Sequence, residues 1–237
     1  MPFVQHLTEL RKRIFYILGG FLLCACASYP FASEIYSILT RPLALAMGDQ
    51  TSRLIFTDLP EVFITYIKLS LYAGFIISFP WIAIQIWLFI APGLYSRERY
   101  FFLTILIATP ILFFGGVIFV YEMILPLAWK FFLSFQEQGG FTSLPIELEA
   151  KVSDYFSITM KILFAFGLAF QLPLLMVLLN KVGIVSRQTF AKGRRFAIVI
   201  IFAIAALITP PDIISQIALA LPLLALYELS LLFMKKD

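Results

Sequence analysis

The sequence predicts an all-α polytopic membrane protein with six transmembrane helices and with the N-terminus and the C-terminus in the cytoplasm. Of the 237 residues, 61% are hydrophobic and only 14% are charged, whereas an ordinary soluble domain is about 45–50% apolar and about 25% charged. Apolar runs typical of membrane spans recur along the whole chain. Basic residues are dense in alternate segments between these runs, and this asymmetry sets the predicted orientation.

Six apolar runs give the predicted spans of a single transmembrane bundle over residues 1–237. In order they are about Ile14 to Phe31, Val62 to Ile90, Phe101 to Pro126, Phe156 to Leu179, Phe196 to Ile208 and Ile213 to Met234. We expect the last two spans to be short, because the fifth run would extend only about 20 Å against a hydrocarbon core of about 30 Å. Prolines within the spans predict kinked helices.

The first run also has the pattern of a cleavable secretory signal, since basic residues precede it and Ala25-Cys26-Ala27 end it. Cleavage would leave five spans and would not invert the later ones.

The orientation follows from the positive-inside rule. Twelve basic residues lie in the N-terminal segment, the second loop, the fourth loop and the C-terminal segment, against four in the first, third and fifth loops. The first group of segments is therefore predicted to be cytoplasmic. Only Glu9, Glu98 and Asp237 supply acidic side chains there.

Composition also excludes several classes of function. A single His rules out metal sites built on several imidazoles. Cys24 and Cys26 lie on different sides of one predicted helix and cannot pair within it, so we interpret them as small hydrophobic residues. The chain has neither a Walker-type glycine loop nor a Gly-x-Ser-x-Gly elbow. The net charge of +4 is interpreted as a topology signal, and no nucleic-acid partner is predicted.

The segment before the first span is predicted to be an amphipathic helix at the membrane surface. His6, Glu9 and Arg13 share one face of that helix, and apolar residues occupy another. The simpler interpretation is that Glu9 pairs with Arg13 at i,i+4 and that the basic residues only fix the topology.

Glu98 lies in the predicted cytoplasmic loop between the second and third spans, flanked by Arg97 and Arg99. It could be a solvated charge at a helix start. Glu9 and Glu98 are, however, two carboxylates on a basic face. Because a carboxylate accepts two parallel hydrogen bonds from a guanidinium, they could receive two arginines of a partner.

Gln171 lies in the middle of the fourth span, between Gly167 and Pro173. A polar side chain at that depth needs a partner in the protein or a water-filled pocket. Two interpretations stay open, an intramolecular hydrogen bond between helices and a contact point for another transmembrane helix.

Four motifs occur in register along nearly the whole chain. They are His6-Leu7-x-Glu9-Leu10-Arg11-x-Arg13, Phe89-x-Ala91-Pro92-x-Leu94-x-x-x-Glu98, Phe166-Gly167-x-x-Phe170-x-x-Pro173 and Thr209-Pro210-Pro211-Asp212-x-x-Ser215-Gln216. This series resembles the successive signatures of the TatC family, the core membrane component of the Sec-independent twin-arginine protein translocase.

The resemblance implies a receptor for signal peptides that bear consecutive arginines, on proteins exported already folded. It implies export driven by the proton-motive force together with small TatA-like and TatB-like single-span partners, self-association in the complex, and neither catalytic residues nor a cofactor or metal. The predicted location is the bilayer of the bacterial cytoplasmic (inner) membrane, with an organelle membrane as the alternative.

The resemblance also assigns roles to residues. Signal-peptide binding carries over onto Glu9, Glu98, Arg11, Arg13, Phe89 and Leu94. Structural turns carry over onto Pro42, Pro210, Pro211 and Asp212. Gln171 departs from the pattern, because many members carry Glu there. A neutral amide cannot titrate, so only hydrogen bonding to a partner helix carries over.

Two other classes of function compete with this one. A secondary transporter or small channel would need paired intramembrane charges near the midplane or helices broken at related positions. The chain offers one Gln and scattered prolines instead. An intramembrane protease would need a Ser-His or Asp-Asp pair at depth, which the spans lack.

Overall fold

The computed structural model of the chain describes residues 3–48, 53–90, 99–137, 149–208 and 213–234. Within these ranges the fold is all-helical, as predicted, with one isolated parallel bridge between Ile55 and Lys151. The helices are α1 (Phe3–Ser28), α2 (Ala32–Met47), α3 (Glu61–Ile90), α4 (Arg99–Phe119), α5 (Leu125–Glu137), α6 (Val152–Ala169), α7 (Leu172–Lys181), α8 (Arg187–Lys192), α9 (Arg194–Ile208) and α10 (Ile213–Phe233).

Five helical stretches of the described chain are long and apolar enough to cross a membrane. They are Gln5–Met47, Glu61–Phe89, Leu103–Ser134, Val152–Lys181 and Gln216–Phe233. The predicted fifth span corresponds to α9, whose 15 residues extend about 22 Å. The last helix has 21 residues and extends about 31 Å, so only the fifth predicted span is short. The count of six and the orientation of the termini stay predictions.

The chain divides into two compact units. The first comprises Met1–Ile38 and Pro60–Ile111, and the second comprises Leu39–Leu59 and Leu112–Asp237. The single bundle over the whole chain stays a prediction, and each unit is described separately below.

In the first unit, α1 and α3 pack side by side and run in opposite directions. The indole Nε1 of Trp81 donates to the Tyr16 carbonyl at 2.9 Å. Further along the same pair, Gly74 lies so close to Ala25 that a Cβ on the glycine would be 2.5 Å from the Ala25 Cα. The glycine therefore sets the distance between the two helix backbones, as small residues do in membrane helix pairs.

A side-chain hydrogen bond joins α3 to α4 within the first unit. Trp87 Nε1 donates to Thr109 Oγ1 at 2.8 Å, and the Thr109 hydroxyl in turn donates to the Ile105 carbonyl. Trp87 and Thr109 are both buried. Because a buried N–H costs about 1–3 kcal/mol when it lacks an acceptor, this bond fixes the C-terminal half of α3.

The second unit has an aromatic core between α4 and α6. Phe113, Phe156 and Phe166 are almost completely buried. A Cβ on Gly167 would be 2.6 Å from the Phe113 ring, so the absence of a side chain lets the ring lie against the α6 backbone. Close aromatic packing of this kind replaces the hydrophobic driving force that helices lose in lipid.

The position of Pro42 differs from the one expected from the sequence. We expected it in a turn of the first loop, but it lies inside α2 and is buried. Proline usually ends a helix because it lacks an N–H and crowds the preceding turn. In this helix the Tyr155 hydroxyl donates to the Leu39 carbonyl, in the turn that precedes the proline.

Four further prolines of the described chain lie within helices or directly after a helical irregularity. Pro80, Pro110 and Pro222 lie inside α3, α4 and α10. Pro126 follows a π-helix, Val120–Ile124, which connects α4 to α5 and in which the Leu125 N–H donates to the Val120 carbonyl. The long helical stretch through residues 103–134 is therefore continuous but not uniformly α-helical.

The contact between α1 and α3 predicts unequal effects of two leucine substitutions. Gly74→Leu should lower the thermal unfolding midpoint of the purified protein clearly, because overpacking costs about 1–3 kcal/mol where the backbone cannot move away. Gly19→Leu is the matched control, because a Cβ there meets nothing within 4 Å. Circular dichroism during heating in detergent measures both. Equal midpoints for the two variants would contradict this account of the interface.

Candidate functional site

The candidate site lies on the first unit, where the start of α1 packs against the end of α3. The Glu9 side chain is about one helical turn from Arg13, and Arg13 Nη2 donates to Glu9 Oε1 at 3.4 Å. On the same guanidinium, Nη1 donates to Gln85 Oε1 at 2.9 Å. One turn further along α3, the Phe89 ring stacks on the His6 ring, with centroids 4.4 Å apart and an interplanar angle of 22°.

The site is partly open. The side chains of Arg13 and Glu9 are 24% and 25% exposed, whereas Gln85 is only 4% exposed. The Gln85 amide is therefore held in place by its surroundings, whereas the Glu9 carboxylate is accessible to solvent and to a ligand.

The contact between Arg13 and Glu9 is long for a charge-assisted hydrogen bond. Such bonds are typically about 2.7–2.9 Å, and this one measures 3.4 Å. A carboxylate has about four lone-pair positions. Glu9 consequently keeps most of its capacity to accept hydrogen bonds while Arg13 partly balances its charge.

The structure brings together three of the residues predicted to bind a signal peptide. Glu9, Arg13 and Phe89 lie at this one site. Arg11 does not join them: it is exposed and lies about 160° around α1 from Glu9. The remaining predicted residues lie outside the described residues, namely Leu94, Glu98, Pro210, Pro211 and Asp212.

Gln85 was missed by the sequence analysis. A signal was available, since Gln85 is a polar residue in an apolar run and precedes Phe89 by four positions, on the same helix face. What the pattern could not show is its partner, because Arg13 is 72 positions away.

Gln171 lies in the second unit, at a break between α6 and α7. Its side chain is buried, at 9% exposure. Its N–H donates to the Leu168 carbonyl at 2.9 Å, and its own carbonyl accepts from the Leu175 N–H at 3.0 Å. The break occurs here because Pro173 has no N–H with which to continue the helical ladder. Gln171 is thus a buried polar group at an interruption of a predicted span.

Comparisons with known proteins give one consistent result. A family model described as Sec-independent protein translocase protein (TatC) matches residues 5–222. The Sec-independent protein translocase protein TatC of Rickettsia prowazekii (strain Madrid E) is 46% identical over 97% of this chain and 91% of its own length. The TatC protein of Escherichia coli (strain K12) is 36% identical over 98% of this chain and 87% of its own.

A solved structure agrees with these sequence matches. The crystal structure of a twin-arginine translocase receptor, TatC, superimposes with a TM-score of 0.86 and 36% identity, covering 97% of this chain and 99% of that one.

Proposed function

Since this chain belongs to the TatC family of Sec-independent protein translocase proteins, we propose that it is the receptor and core subunit that binds signal peptides bearing two consecutive arginines. The observation that carries the proposal is the Glu9 carboxylate, partly open at the junction of α1 and α3 and only loosely engaged by Arg13. We further propose that it exports folded proteins across the membrane.

The specificity for arginine rests on geometry. A guanidinium can donate two parallel hydrogen bonds to one carboxylate, whereas an ammonium acts as a point charge. Glu9 would receive one arginine of the peptide, and Glu98 would receive the other. Phe89, Leu94 and Arg13 would line the same binding surface, whereas Arg11 lies on the other side of α1 and would not belong to it. The stacked ring pair of His6 and Phe89 supplies an apolar wall beside the carboxylate.

Family membership and composition support a proposal for the partners and the location. We propose that TatA-like and TatB-like single-span proteins join copies of this chain in a complex without catalytic activity of its own, and that the proton-motive force drives transport. Gln171, buried at a helix break, would be a contact point for a partner helix. Bacterial relatives such as that of Escherichia coli favour the bacterial inner membrane. Membership in a protein translocase family favours this role over a secondary transporter or small channel.

Substitution of Glu9 tests the receptor function directly. Glu9→Gln should weaken binding of an arginine-pair signal peptide about 10- to 100-fold, because a hydrogen bond to a charged group contributes about 1.5–3 kcal/mol. Fluorescence anisotropy of a labelled peptide, with the protein in lipid nanodiscs, measures the affinity. Glu34→Gln is the control, since Glu34 is an exposed acid on α2 that contacts Ser33, and it should bind like the unsubstituted protein.

A second peptide decides whether geometry or charge is recognised. A lysine-pair version of the same peptide should bind the unsubstituted protein clearly more weakly than the arginine-pair peptide. Equal affinities for the two peptides would overturn the proposed mode of recognition.

Photocrosslinking tests the proposed division between recognition and assembly. A photoreactive residue at Glu98 should crosslink to the signal peptide, and one at Gln171 should crosslink to a single-span partner. Leu23 serves as the control position, because it is 71% exposed on the apolar part of α1 and is expected to face lipid. The same products from all three positions would contradict the assignment.

A further inference from the structure

We propose that Gln85 is a positioning residue for arginine recognition: its amide holds the Arg13 guanidinium back from Glu9 and thereby keeps the Glu9 carboxylate open for an incoming arginine. This inference rests on the proposed receptor function and names a residue that the sequence motifs do not contain.

The first step in the argument is that the orientation of the Gln85 amide is fixed. A guanidinium has only donors, so the carbonyl oxygen of the amide must face Arg13. The bond between Nη1 and Oε1 measures 2.9 Å, an ordinary strong length. Because Gln85 is 4% exposed, the residues packed around it leave its amide little room to move if Arg13 moves.

The second step concerns what this hold does to the ion pair. With Nη1 directed to Gln85, Arg13 meets Glu9 through Nη2 alone, at 3.4 Å. On Glu9, the atom that accepts this hydrogen bond is Oε1. The two-bond pairing of guanidinium and carboxylate, which gives such pairs their strength, is not formed.

The third step is that Arg13 has an unused donor. Its Nε is buried and has no hydrogen-bond acceptor among the described residues. Nε and Nη2 lie on one edge of the guanidinium and form a fork that matches a carboxylate. A small movement of Arg13 would thus satisfy Nε and close the fork on Glu9. Gln85 opposes that movement.

The consequence is a competition within the protein. If Arg13 closed on Glu9, it would occupy the position that a signal-peptide arginine needs, and the peptide would have to displace it. With Gln85 holding Arg13, the carboxylate keeps a counter-charge nearby but retains free acceptor positions. Gln85 therefore influences peptide affinity without touching the peptide.

Two substitutions of Gln85 separate this role from simple packing. Gln85→Leu removes the acceptor and releases Arg13, so the dissociation constant for an arginine-pair peptide should rise about tenfold. Gln85→Glu keeps an acceptor for Nη1 and should hold the dissociation constant within about twofold of the original value or lower it. A role in packing alone would make both variants weaker, because each disturbs the same buried position. Losses of equal size would overturn the proposal.

The decisive experiment repeats Gln85→Leu in an Arg13→Ala background. Because Gln85 acts through Arg13, the substitution should then leave the dissociation constant unchanged. A tenfold loss in that background would overturn the proposal. The matched controls are Gln188→Leu and Gln188→Glu, since Gln188 is an exposed glutamine on α8. The thermal midpoint of every variant is measured to confirm that it is folded, and Gln85→Asn, whose shorter amide cannot reach Arg13, replaces Gln85→Leu if the latter does not fold.

The outcomes also distinguish this inference from the proposed function. If Glu9→Gln leaves peptide affinity unchanged, the receptor function assigned to this site fails. If Glu9→Gln weakens binding while Gln85→Leu does not, the receptor function stands and only the positioning role of Gln85 fails.

Discussion

The close antiparallel contact between α1 and α3 is the constraint on which the candidate site depends. Lipid offers no hydrophobic force to press two apolar helices together, so small residues and hydrogen bonds must hold them. Gly74 against Ala25 sets the spacing, and the Trp81 indole on the Tyr16 carbonyl fixes the register. Only in that register does Gln85 reach Arg13 from the other helix. The candidate site, with its charged side chains, thus lies at an interface between two largely apolar helices.

The sequence predicts much of this arrangement and misses a specific part of it. The period of a helix places His6, Glu9 and Arg13 on one face, and the structure confirms both the face and the i,i+4 contact of Glu9 with Arg13. The all-helical class follows from composition. The role of Gln85 could not be read from the pattern, because a periodicity describes one helix and says nothing about which side chain of a distant helix lies opposite.

The helix around Pro42 shows the other way in which local rules fail. The resemblance predicts a structural turn at Pro42, and the prediction is wrong here because α2 continues through the proline. The Tyr155 hydroxyl reaches the Leu39 carbonyl from another element. Gln171 and Pro173 illustrate the opposite case: a mid-span proline does coincide with a break between helices. One helix continues through its proline and the other begins at its proline, so the residue type alone does not predict the outcome.

The π-helix at Val120–Ile124 has a geometric consequence for the second unit. In an uninterrupted α-helix, Val120 and Trp129 would point in directions about 180° apart, since each residue turns the helix by about 100°. One additional residue in a turn subtracts about one such step. The two side chains then differ by about 80°, and both are buried. The additional residue in the π-helix thus reduces the angle between the Val120 and Trp129 side chains. Both can then lie on the buried side of one long helix, whereas in an ideal α-helix they would point in opposite directions.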